Sequence, residues 1–175
     1  MEFERKEPWL VEQANNILKE FIENPVRILE FGSGFSTLWF LQQENVIELV
    51  SVEHSNDWFI KVQSQIKTEK KHTLIRKDTP YNDICDDYLD EYFDIILVDG
   101  RNRNKCMQSA IPKLKKGGVL ILDNSERDYY HLGYDLMKDW EQFTVEQNIP
   151  DKYGFTYKDP INGRFWSTSF FKNPM

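Results

Sequence analysis

The groups in this sequence with chemistry to offer are acids set at matching places. Glu30 leads into Gly32-Ser33-Gly34, Glu53 into His54, Asp99 into Gly100-Arg101 and Asp123 into Asn124, while Asp78 stands alone. Each follows a short run rich in apolar residues. A carboxylate can neutralise a cation, accept from hydroxyls, ligate a hard metal or take a proton. Acids repeated in this way predict a polar site for a ligand with positive charge and hydroxyl groups. The plainer reading is helix caps and solubility, the ordinary work of acids in loops.

The elements that must position these acids alternate along the chain. Apolar spacing predicts helices over 7–24, 36–43, 55–70, 104–116 and 129–147. Short β-branched or apolar runs predict strands over 26–31, 46–53, 72–77, 92–100 and 117–124. Two aromatic runs, 153–157 and 164–172, read as closing strands around a turn. Strands alternating with helices give an α/β, Rossmann-like, doubly wound sheet, mostly parallel with an antiparallel closing edge. The 175 residues read as a single domain: an N-terminal helix over 1–24, a ligand-binding core over 25–124, and a C-terminal helix with closing strands over 125–175.

Such sheets bind ligands beyond the carboxyl ends of their strands, which is where all five acids fall. A dinucleotide needs its diphosphate over a helix N-terminus and a third glycine in the turn. Here Thr37 takes that third place, and Glu30 would repel an anion. A cationic ligand with a ribose fits better, and S-adenosylmethionine is one. Glu53 follows Glu30 at about the 20-residue interval at which an acid meets ribose hydroxyls in these folds. Gly32 and Gly34 leave room for the ligand beside the backbone.

"ILEFGSGFST", "LVSVEHS", "FDIILVDGR" and "GGVLILDN" together resemble the class I S-adenosylmethionine-dependent methyltransferases over residues 26–124. The resemblance implies a seven-stranded sheet carrying the cofactor across its first, second and fourth strands. It implies that Glu30, Gly32, Ser33 and Gly34 form the methionine side, and that Glu53 holds the ribose. His54 would lie beside the adenosine and Asp78 near the adenine; without a metal, Asp99 would contact the cofactor's ammonium or take the acceptor's proton. "DGRN" stands where amino-methylating relatives carry an Asn/Asp-Pro-Pro-aromatic turn, so the sequence resembles O-methyltransferases, including metal-dependent ones that act on small molecules and sugars. That likeness implies Asp99, Asp123 and Asn124 as ligands of Mg²⁺, and leaves metal dependence open because Asn102 stands where the catechol type has a lysine. Asp99 and His131 are the candidate bases. Arg101 and Arg103 read either as exposed helix-start charges or as a fork gripping a carboxylate or phosphate on the acceptor. Phe165 and Trp166 read as core or as an acceptor wall, Trp39 and Phe40 as core.

The totals narrow the rest. A net charge of −7 opposes a nucleic-acid partner, and no apolar run approaches a membrane span. Cys85 and Cys106 have no metal-like spacing, and with no apolar leader the expected location is cytoplasmic. The expected partner is a small-molecule hydroxyl acceptor, with a homodimer as one way to complete the pocket. A nicotinamide-dependent oxidoreductase and a non-catalytic S-adenosylmethionine-binding module are the competing functions.

Overall fold

Parity along the strands builds the layers of this protein. The computed structural model describes residues 7–67, 72–148 and 165–175. Seven strands form one sheet: β1 (Val26–Phe31), β2 (Val46–Glu53), β3 (His72–Arg76), β4 (Phe93–Val98), β5 (Leu114–Asp123), β6 (Glu141–Asn148) and β7 (Phe165–Lys172). Their order is β3-β2-β1-β4-β5-β7-β6, with β1 to β5 parallel and β7 antiparallel to both neighbours. The Rossmann-like sheet with an antiparallel edge is therefore present.

Alternate residues of the central strands feed two cores. Ile28, Leu49, Ile95, Leu97, Val119 and Phe170 pack beneath α1 (Glu12–Glu20) and α2 (Phe35–Phe40). Leu29, Val50, Ile96, Val98, Leu120 and Phe171 face the other way, toward Cys106, Met107 and Ala110 of α4 (Arg103–Ala110). Nearly continuous apolar runs are what strands covered on both faces require. Trp39 and Phe40 are core, as expected, and both cysteines are buried free thiols.

Two predicted helices give way to strands. The one expected to reach residue 116 stops at Ala110, passes through a short 3-10 turn containing Pro112, and becomes β5 at Leu114. Lys113 and Lys115 thus pair with Asp90 and Asp94, each at 2.7 Å, instead of finishing a helix. The helix expected over 129–147 is cut to α5 (His131–Leu136), and Glu141–Asn148 is a strand. "QFTVEQ" alternates, and β7 supplies its partner: Phe143 stacks on Phe170 at 4.9 Å and Val145 is buried. The expected strand at 153–157 and its turn lie outside the described residues.

Glu30 shows how parity can override a charge. It shares the Ile28 side of β1, so its carboxylate is fully buried under α2. Three hydroxyls satisfy it. Ser36 donates to Oε1, and Thr37 and Ser51 donate to Oε2 at 2.6 and 2.7 Å. Ser51 is the register partner of Glu30 on β2, so the acid ties two strands to the start of α2. Burial raises the carboxyl from 4.5 to about 7, against the opposing pull of the hydroxyls.

That shift gives a testable sign. The folded chain keeps this proton after the unfolded chain has lost it, so the contribution is full below about 4.5 and lost as pH rises toward about 7. Glu30→Gln flattens the decline, as read from urea midpoints across that window. Parallel profiles for the two proteins would refute the assignment.

Candidate functional site

The tips of β1, β2, β4 and β5 surround a cleft of about 1360 Å³. It lies where the strand order reverses between β1 and β4, the usual ligand position in open α/β sheets. The cleft exceeds the roughly 300–1,000 Å³ of ordinary small-molecule sites, leaving room for two ligands side by side.

One half is built on the turn after β1. Gly32 has φ +94, and a Cβ there would stand 2.9 Å from the Gly100 backbone. At Gly100 a Cβ would meet the Tyr81 hydroxyl and the Gly32 backbone. The two main chains therefore touch with nothing between them. Gly34 faces Trp58, whose Nε1 donates to the Ser33 carbonyl. The glycines were expected to make room for a ligand; their immediate neighbours are other parts of this chain.

Glu53 is nearly fully buried yet contributes to the cleft wall. Its Oε2 accepts from Ser33 N at 3.0 Å and its Oε1 from Ser55 N at 2.7 Å. Each oxygen keeps lone-pair capacity for hydroxyl donors from the cleft. His54 Nδ1 lies 3.0 Å from Glu53 Oε1, and the ring faces the cleft. Ser55 caps α3 (Asn56–Gln63) by accepting from Trp58 N, which sets Trp58 over the glycine turn.

The other side is organised by Arg103. Its guanidinium is buried, and every nitrogen is used. Nε donates to Gly100 O at 2.9 Å, and Nη1 to Asp123 O. Nη2 reaches Asp99 O at 2.9 Å, Asp99 Oδ1 at 3.0 Å and Asn124 Oδ1 at 3.3 Å. Its face covers the Tyr130 ring at 5.3 Å. Asp123 accepts from Thr168 Oγ1 at 2.8 Å and feels the charge of the neighbouring Asp99. Desolvation raises both carboxyls, the Asp99 charge adds to the rise at Asp123, and Arg103 opposes it in both.

These residues do not fit a divalent ion. The position between Asp99, Asn124 and the β5 tip already holds a cation, the Arg103 guanidinium. Among the described residues no group of three or more His, Cys, Asp or Glu side chains is placed to bind a metal. The expected metal set of Asp99, Asp123 and Asn124 is corrected accordingly.

Other expected site residues divide. Gly32, Ser33, Gly34, Glu53, His54, Asp99 and Arg101 meet at the cleft. Glu30 does not; it is sealed behind the turn, because β1 parity turns it inward. Asp78 is exposed, pairs with Arg76 at 2.6 Å and stands off the cleft wall. His131 is exposed, its Nδ1 2.6 Å from Asp128 O, and is likewise absent from the wall. Arg103 is not half of a fork at the mouth but the internal tie just described. Its i,i+4 spacing from Asp99 was the signal for that pairing. Phe165 and Trp166 line a smaller adjoining cavity of about 300 Å³ with Asp123 and Glu126. Nothing in the sequence marked Tyr81, whose hydroxyl receives the Arg101 N–H under the cleft.

The sequence matches the family described as a methyltransferase domain over residues 29–125. No curated protein sequence matches the chain. Spermidine synthase from Thermotoga maritima is similar at TM-score 0.63 and 16% identity, covering 87% of this chain and 54% of its own. The chain thus spans just over half of that protein. A Staphylococcus aureus protein to which caffeoyl-CoA O-methyltransferase activity is ascribed gives 0.67 and 18%, covering 95% and 86%. Precorrin-6y C5,15-methyltransferase from Geobacter metallireducens gives 0.68 and 12%, covering 98% and 93%. At these identities the structural likeness shows the fold alone.

The Arg103 arrangement predicts that Mn²⁺, followed by electron paramagnetic resonance, finds no saturable site on the natural protein. A saturable site removed by Asp123→Asn would reverse the metal correction. Arg103→Met strands the buried Asp123 and the acceptors around it, and lowers stability by about 3–5 kcal/mol, measured by urea denaturation.

Proposed function

The chain belongs to the methyltransferase-domain family, and from that premise we propose that it moves the methyl group of S-adenosylmethionine to a hydroxyl of a small molecule or sugar. The observation that carries this reading is one cleft walled by the glycine turn, the Glu53 carboxylate and the Asp99 tip together. The donor set fits the cofactor: Glu53 offers acceptors to ribose hydroxyls, Ser33 and Gly34 offer main chain, and His54 and Trp58 offer ring surface.

The choice of oxygen over nitrogen rests on two carbonyls. In amine methylation the carbonyls after the fourth strand would accept from the nucleophile. Here Asp99 O and Gly100 O each already accept an Arg103 N–H, which makes them weaker acceptors for an amine. A hydroxyl nucleophile needs no such acceptor, only a place for one proton.

S-adenosylmethionine supplies a methyl on a sulfonium, so transfer forms a C–O bond, breaks a C–S bond, leaves S-adenosylhomocysteine and frees the hydroxyl proton. Asp99 faces the cleft and is the carboxylate placed to take that proton. Arg103 holds Asp99 through both its carbonyl and its Oδ1, which fixes the base against the acceptor. Orientation of two ligands in one cleft accounts for about 7–11 kcal/mol of barrier lowering.

Transfer of labelled methyl from S-adenosylmethionine to a panel of sugars and phenols tests the reading directly. Glu53→Gln weakens S-adenosylhomocysteine binding about tenfold by calorimetry, the loss of one charge-assisted hydrogen bond. Asp99→Asn leaves that affinity within about threefold and abolishes turnover. Equal loss of affinity in both variants, or label appearing only on nitrogen, contradicts the assigned roles.

A further inference from the structure

The half of the cleft away from Glu53 has a charge and surface character of its own. Arg101, Lys105 and Arg127 all line it. Arg101 and Lys105 are exposed, and among the described residues neither pairs with a carboxylate. Lysines and arginines elsewhere do pair: Lys113 with Asp90, Lys115 with Asp94, and Lys77 with Asp83. The wall contains only two carboxylates. Glu53 belongs to the opposite half, and Asp99 is already matched by Arg103. Two cations, Arg101 and Lys105, therefore face this space without an acid of their own, whereas Arg127 has Glu126 beside it at 3.7 Å.

The same half is apolar beyond what water contact favours. Nine large hydrophobic side chains are strongly exposed among the described residues, and Trp9, Tyr129, Leu132 and Leu136 of these line the one cleft. Leu132 and Leu136 stand four apart on α5, Tyr129 sits in the 3-10 turn just before it, and all three line the cleft. Gly133 seats α5. A Cβ there would stand 1.9 Å from Met107 Cε, so α5 lies directly on α4, and Gly133 N donates to Asn104 Oδ1 at 3.2 Å. Lys105 and Gln108 line the cleft from α4, three residues apart. Close seating of the two helices sets apolar and cationic side chains around one space.

Resting on the methyl-transfer reading above, we propose that the acceptor is a small molecule with an apolar body and an anionic group, a carboxylate or a phosphate. Tyr129, Leu132 and Leu136 cover the body, and Arg101 and Lys105 hold the anion. Neutral acceptors gain only the first set of contacts, so charge discriminates among acceptors of similar shape.

Calorimetry on the protein loaded with S-adenosylhomocysteine tests this with three probes: phenyl phosphate, benzoate and phenol. At least one anion binds about tenfold or more tightly than phenol, and which of the two does so separates phosphate from carboxylate recognition. Replacing both exposed cations, Arg101→Gln with Lys105→Gln, removes that preference, and added salt reduces it in the natural protein. Leu132→Ser with Leu136→Ser weakens the preferred anion and leaves its advantage over phenol in place. Absence of saturable binding by either anion, equal binding of all three probes, or a preference that survives loss of both cations overturns the proposal. Failure of S-adenosylhomocysteine itself to bind would instead overturn the parent reading.

Discussion

The site depends on one buried positive charge and the acceptors that surround it. Taking a guanidinium out of water costs several kcal/mol even after relaxation, and only a nearly complete set of partners offsets that. Arg103 has them: three main-chain carbonyls, one carboxylate oxygen, one amide oxygen and an aromatic face. Because those acceptors come from the ends of β4 and β5, the side chain sets the spacing of two strand tips and the slope of the loops leaving them. Asp99 can face the cleft at fixed height because of it. The same charge keeps the buried Asp123 and the cleft-facing Asp99 from standing unmatched.

Two glutamates at the first two strand ends illustrate what a sequence can and cannot reveal. Both looked like ligand groups. Glu53 is the last residue of its strand and reaches the cleft, whereas Glu30 is one residue short of its strand's end and turns into the core. The alternation of Ile28 and Glu30 on one side was readable, and so was the unusual supply of hydroxyls in Ser36, Thr37 and Ser51. What was missing was the fact that Ser51 lies directly across from Glu30, a long-range register that no local window contains. Electrostatic reasoning about a cationic ligand named both members of the pair, and only Glu53 lies at the cleft. The tip of β2 and the turn after β1 still meet, because Ser33 N donates to Glu53.

The framework from Val26 to Asp123 was legible for a physical reason: strands buried on both faces announce themselves as apolar runs, and each has a turn or helix signal after it. Legibility failed at the far edge. Glu141–Asn148 has one buried residue, Val145, and its pairing partner lies beyond a stretch of intervening chain. Local spacing there is compatible with a helix, and only β7 decides otherwise. His131 and Asp78 misled for a related reason, since a polar residue near the right strand or loop carries no mark of which way its side chain points. Arg103 misled in the opposite sense, an exposed-looking charge that proves to be interior.

The contact between the main chains at Gly32 and Gly100 has an implication for how such a molecule can diversify. The base of the cleft there is peptide backbone, fixed by hydrogen bonds from Gly32 N to Val52 O and from Asp99 N to Phe31 O. Mutational drift acts on side chains, and this part of the molecule presents almost none. Changes in α4 and α5 alter the rim without reaching the base, so a lineage can reshape what the cleft admits while its floor stays put.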